Sequence, residues 1–144
     1  MGARRWAREY AVQFLYQRDI NPHGLMDQAL EEFWRQQTTE DAAIQFANGL
    51  ISGVMDHLPD LDATIVGYAE NWRFDRIAVV DRNILRLAIY EMKYRDDIPP
   101  VVSMNEAIEI AKKFATEDSG KFVNGILDRV CTELLRPART SAGS

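Results

Sequence analysis

The chain has 144 residues and a mass of 16.5 kDa, about one ordinary domain and long enough to build a core without disulfides or metals. Hydrophobic residues make up 47% and charged residues 27%, a globular balance that excludes disorder over the whole chain. A single cysteine, Cys131, excludes an intrachain disulfide framework, and no apolar run is long enough for a membrane-spanning helix. The net charge of −5 argues against a wholesale nucleic-acid binder, which would be basic, but leaves room for a local basic patch. The opening residues lack the apolar stretch of a signal peptide, so a cytoplasmic location is expected.

Apolar residues recur at helical spacing along the chain. Ala7, Ala11, Phe14 and Leu15 form a first stripe. Met26, Ala29, Leu30 and Phe33 form a second, after the break at Asn21-Pro22-His23-Gly24. Ala43, Phe46, Ala47, Leu50, Ile51 and Val54 form a third. Leu61, Ile65, Tyr68 and Trp72 form a fourth, after Pro59. Ile77, Val80, Ile84, Leu87 and Ala88 form a fifth. Ala107, Ile110, Ala111 and Phe114 form a sixth, after Pro99-Pro100, and Val123, Ile126, Leu127, Val130 and Leu134 form a seventh. No segment alternates like a strand. The expectation is an all-α domain of about seven helices over residues 1–135, with residues 136–144 a disordered tail. Ile84, Leu87, Ile110, Phe114, Val123 and Leu127 are expected in the core. Asp75 and Ser119 are expected to cap the fifth and seventh helices, and Ser103-Met104-Asn105-Glu106 has the form of a capping box.

No catalytic constellation is visible. His23 and His57 lack metal-ligand spacing, there is no phosphate-cradling glycine loop, and Cys131 reads as a small core residue. No enzyme activity, metal or cofactor is expected. Gly49 and Gly53, four apart on the third helix, suggest close approach of another element.

Basic residues cluster in three places. On the first helix, Arg4, Arg5 and Arg8 share a flank with Tyr16. Guanidinium forks suit phosphate oxygens, and a tyrosine can stack on a base; the same flank is equally a solvated arginine cluster. On the fifth, Arg82, Arg86 and Lys93 project with Tyr90 opposite the apolar stripe, near Arg76, while Glu91 falls toward the core and needs a partner. On the seventh, Lys121 and Asn124 point away from the stripe near a helix start, with Phe122 on the flank. That arrangement suits an anion or a base edge, and Phe122 suits either stacking or helix packing.

In order and spacing these segments resemble the NusB family of bacterial transcription antitermination factors. The likeness is carried by Ala3-Arg4-Arg5-Trp6-Ala7-Arg8-Glu9, by Ile84-Leu85-Arg86-Leu87-Ala88-Ile89-Tyr90-Glu91, by Asn105-Glu106-Ala107-Ile108-Glu109 and by Lys121-Phe122-Val123-Asn124-Gly125. The resemblance implies two small helical bundles that bind single-stranded boxA RNA with the ribosomal protein NusE on transcribing RNA polymerase. It assigns RNA contacts to Arg4, Arg5 and Arg8 and to the segment Asp118 to Asn124, which holds Lys121, Phe122 and Asn124, and partner contacts to Tyr16, Arg76, Asp81 and Tyr90; Arg86, on the basic face of the fifth helix, is a further RNA candidate from its position alone. Many members carry an arginine run where Trp6 stands, so one basic contact is either missing or replaced by stacking, and several carry Glu where Asp81 stands. Some members form homodimers. The competing reading is a protein-binding helical scaffold with no RNA affinity of its own.

Overall fold

The computed structural model describes residues 2–69 and 73–135. Trp72 and the tail lie outside the described residues. The elements are α1 (Ala3–Ile20), α2 (Met26–Arg35), α3 (Asp41–Asp56), α4 (Leu58–Tyr68), a 3-10 turn (Phe74–Arg76), α5 (Val79–Tyr94), α6 (Pro100–Phe114) and α7 (Glu117–Leu135). No strand occurs among the described residues, and no helix is long and apolar enough to cross a membrane.

Each boundary has a local cause. α1 stops at Asn21-Pro22, and the Arg18 guanidinium ties the turn by donating to the His23 and Gly24 carbonyls, each at 2.9 Å. Gly24 sits at φ 84°, where a Cβ is strained. Pro59 and Pro100 occupy first-turn positions of α4 and α6, where a missing N–H breaks no helical bond. Thr116 caps α7, its Oγ1 accepting from the Ser119 N–H at 3.1 Å.

Two bundles share α5. The first is α1, α2 and α3, closed by edge-to-face rings: Phe14 on Phe33 at 5.5 Å and Phe33 on Trp34 at 5.1 Å between centroids. The second is α4 to α7. α5 packs against α1, α3, α4, α6 and α7, and from Asp81 to Met92 every residue but Arg82 is buried. Leu85 and Ile89 have no exposed surface; each contributes about 1.5–3 kcal/mol by leaving water.

That burial overturns the expected basic outer face of α5. Arg86 and Tyr90 lie inside, and Lys93 is half-buried. Aliphatic residues surround the helix on every side, the mark of a central helix rather than a surface one. Ser103 is no cap: α6 begins three residues earlier, at Pro100, and the Ser103 hydroxyl donates to Glu91 at 3.0 Å. Asp75 lies within the 3-10 turn, and the residue before α5 is Ala78. Ser119 lies inside the first turn of α7 that Thr116 caps. Phe114 is exposed at the end of α6, because the chain turns there toward α7. Ile84, Leu87, Ile110, Val123 and Leu127 are buried as expected, and so is Cys131. Gly53 does permit a close approach, since a Cβ there would sit 2.0 Å from the Tyr90 ring, whereas Gly49 faces open space.

Candidate nucleic-acid interface

Two ionic networks run through α5 and decide which cations are available. In its N-terminal half, Asp19 of α1 accepts from Arg82 at 2.8 and 3.1 Å, from Asn83 at 3.0 Å and from Arg86 at 2.9 Å. Arg86 also forms a fork on Asp62 of α4, at 2.7 and 2.9 Å. Burial opposes ionisation of Asp19, yet the donors from Arg82 and Asn83 and the nearby Arg86 hold its carboxyl below the usual range. Arg82 and Arg86 are thus cross-links between helices, which removes Arg86 from the directly exposed RNA contacts.

In the C-terminal half, Arg8 donates three hydrogen bonds to Glu91, at 2.8–3.1 Å, and Ser103 adds a fourth. The partner expected for Glu91 is therefore Arg8. Both side chains are almost wholly enclosed, at 4% and 1% exposure. Arg8 was expected on an exposed flank; the structure turns it inward, because a buried carboxylate on the central helix needs a cation. Arg8 serves here to hold α1 to α5 and α6.

The exposed start of α1 is built on this base. Arg5 forks onto Glu106 of α6, at 2.9 and 2.6 Å. That hydrogen bonding raises the Arg5 pKa and lowers that of Glu106. Lys113 of α6 reaches Glu9 at 2.7 Å and lies 5.5 Å from the ring of Trp6, which is itself exposed. Phe46 of α3 lies beneath three guanidinium groups, those of Arg4, Arg8 and Arg95, at 4.7, 5.4 and 5.3 Å from its centroid. Arg95 pairs with Asp97. Among the described residues Arg4 makes no salt bridge, though its charge helps Arg95 to lower the Asp97 pKa, so it is the least committed cation of this edge.

α7 divides its candidates between two clefts. Lys121 and Asn124 are exposed and line a cleft against α6 with Lys112 and Thr116. Phe122 is half-buried and lines a second cleft with Arg76, Asp81, Asp118 and Ser119. Asp81 is buried there, and its Oδ1 has no hydrogen-bond donor among the described residues. Burial raises its pKa against a weaker lowering by Ser119.

The four proposed partner-contact residues are not one surface. Tyr16 is exposed beside the α1–α2 groove, and Arg76 is exposed beside Asp81. Tyr90 is buried nine residues further along α5, about 13 Å by helical rise, over Gly53 and stacked near His57 and Tyr94. At 8% exposure it offers a partner little surface in this conformation.

Sequence reasoning missed Phe46, Arg95, Lys112 and Lys113. Phe46 carried only an apolar signal, and its ring bridges surface arginines. Lys112 and Lys113 extend the cationic edge along α6, Lys113 toward α1 and Lys112 toward the Lys121 cleft. Their adjacency at a helix C-terminus was the available signal.

The fold matches solved structures closely. "T. maritima NusB" superposes with a TM-score of 0.82 at 44% identity, covering 90% of this chain and 91% of that one. A crystal structure of the antitermination factors NusB and NusE in complex with dsRNA gives 0.81 at 27% identity, covering 92% and 98%. The transcription antitermination protein NusB of Myxococcus xanthus (strain DK1622) is 45% identical over 141 residues, 95% of this chain and 100% of that relative. Residues 5–132 match the NusB family, and the chain belongs to it.

Proposed function

We propose that this chain is a transcription antitermination factor that binds single-stranded boxA-type RNA together with NusE on transcribing RNA polymerase, in ribosomal RNA transcription in the cytoplasm. The observation that carries the RNA reading is the start of α1. An exposed guanidinium, Arg4, which makes no salt bridge among the described residues, lies over Phe46 beside an exposed Trp6, with Arg5 one-third exposed and Lys121 exposed on α7, while Lys112 and Lys113 of α6 are paired with Glu109 and Glu9. Cations hold phosphates, Trp6 and Phe122 offer rings to bases, and Asn124 can read a base edge. Arg8 and Arg86 act from behind, by fixing the helices that carry the site. The relative solved with NusE holds double-stranded RNA, so both RNA forms belong in the test.

The second cleft supports a protein partner. Asp81 Oδ1 is a buried acceptor with no donor of its own, flanked by Arg76, and a donor from NusE would relieve its desolvation. Tyr16 supplies a separate edge.

The test is a mobility shift with labelled boxA-type RNA, single-stranded and duplex, with and without NusE, on material whose monomer or dimer state is fixed by light scattering. The expected result is a shift with single-stranded RNA that NusE strengthens. No shift in any arm, with NusE bound, would favour the protein-binding scaffold.

A further inference from the structure

The Arg5–Glu106 pair poses a question that the RNA reading leaves open. A cation already neutralised by a carboxylate releases few counterions when a phosphate arrives, so it adds little to sequence-independent affinity. Arg5 commits its Nε and one Nη to the two oxygens of Glu106, at 2.9 and 2.6 Å. Yet the side chain is one-third exposed, whereas Glu106 is 18% exposed. The Glu106 carboxylate also lies 3.8 Å from Arg8. Its hydrogen bonds from Arg5 lower its pKa below the ordinary carboxylate value.

Glu106 differs from the other carboxylates of this edge, including Glu109 of the same helix, which pairs with Lys112 at 3.1 Å and acts on Arg5 only through its field. Glu91 is enclosed and serves the core. Glu9 is buried beneath Lys113. Asp97 is more than half exposed and pairs with its chain neighbour Arg95. Glu106 reaches across from another helix to occupy the fork of an arginine at the solvent edge, the same two-oxygen geometry that a phosphate presents.

We infer that Glu106 is an internal anion that competes with RNA phosphate for Arg5 and so holds down the chain's sequence-independent affinity for RNA. The inference rests on the RNA-binding reading of α1. In the free protein Arg4 carries the available charge of this helix start, and Arg5 is engaged only at the expense of its bond to Glu106. The chain, acidic overall, thereby avoids non-specific capture by cellular RNA, and recognition falls to stacking and base-edge contacts.

The test measures affinity against salt for a boxA-type single-stranded RNA and for oligouridine, by fluorescence anisotropy. Glu106→Gln keeps the shape of the side chain and removes its charge. At low salt it should bind both RNAs about fivefold more tightly, the value of one unit-charge interaction at about 4 Å in water. The slope of log affinity against log salt should steepen by about 0.7, one phosphate on a single strand. Asp56→Asn, an exposed change of equal charge at the far end of α3, should leave the slope unaltered. In an Arg5→Gln background the gain from Glu106→Gln should vanish. Independently of how Glu106→Gln folds, Arg5→Gln alone should flatten the slope by clearly less than Arg4→Gln, which flattens it by about 0.7. A Glu106→Gln protein with the wild-type thermal midpoint and no gain in affinity would overturn the inference. So would a gain confined to the boxA-type RNA, or an Arg5→Gln slope as flattened as that of Arg4→Gln. Wild-type protein that binds neither RNA would remove the RNA reading itself, a distinct result.

Discussion

Removing Glu91 should be a strongly damaging single change on α5. Its carboxylate takes three hydrogen bonds from Arg8 and one from Ser103, with 1% of the side chain exposed. Glu91→Leu leaves the Arg8 guanidinium enclosed, its nearest remaining carboxylate oxygen being that of Glu106 at 3.8 Å. Breaking a buried pair from one side costs about 3–5 kcal/mol. The residual attraction to Glu106 places this case near the lower end, about 3 kcal/mol. For a domain of this size that lowers the thermal midpoint by roughly 10 °C. The double change Arg8→Met, Glu91→Leu removes both charges and keeps the volume, and should recover most of the loss, as replaced buried pairs do. Urea denaturation with a constant m-value reads each variant. A loss below about 1 kcal/mol for Glu91→Leu would refute this account of Arg8, as would a double variant no better than the sum of its singles.

Ser103→Ala should cost about 1–2 kcal/mol through the lost bond to Glu91, and the effect should disappear in the Glu91→Leu background; persistence there in urea melts would restore a capping role. Gly53→Ala forces the Tyr90 ring aside and should cost about 1–3 kcal/mol, with a changed near-ultraviolet circular dichroism spectrum, whereas Gly49→Ala, facing open space on α3, should be neutral or stabilising by up to about 1 kcal/mol. The buried Asp81 carboxyl has a raised pKa. Its contribution is therefore fully present below the pKa of the unfolded chain and is lost as pH rises through the folded value. Asp81→Asn should accordingly raise the denaturation midpoint at pH 7, with the advantage fading below about pH 4; an advantage independent of pH would contradict the burial argument.

The helices were legible because their apolar stripes are local, and Ala7, Ala11, Leu50, Ile84 and Val123 are buried where the spacing put them. What the stripes could not show is how much of each remaining face another helix covers. α5 read as half-exposed because its arginines cluster on one side of a wheel. Their partners Asp19 and Asp62 lie far off in the chain, 67 and 24 residues from Arg86, and no local pattern announces them. The run Leu85, Leu87, Ala88, Ile89 and Met92 did hold the signal, since a helix apolar all round is a central one. Ser103 shows a second limit. The capping-box spelling was present, but Pro100 supplies a better first-turn residue and the hydroxyl finds a buried carboxylate instead. At the site, Arg4 and Lys121 were legible as exposed cations. The neutralisation of Arg5, the enclosure of Arg8 and the ring of Phe46 beneath the guanidinium groups depend on α3, α5 and α6 meeting α1.

The most direct test of RNA binding at the α1 start compares wild type with Arg4→Ala, Lys121→Ala and the double variant, in a salt titration of single-stranded boxA-type RNA. Both side chains are exposed and neither forms a salt bridge among the described residues, so folding should be unaffected. Each single change should weaken binding and flatten the salt slope by about 0.7, and the pair by about 1.4, if each cation holds one phosphate. A folded double variant that binds with the wild-type affinity and slope would contradict the account.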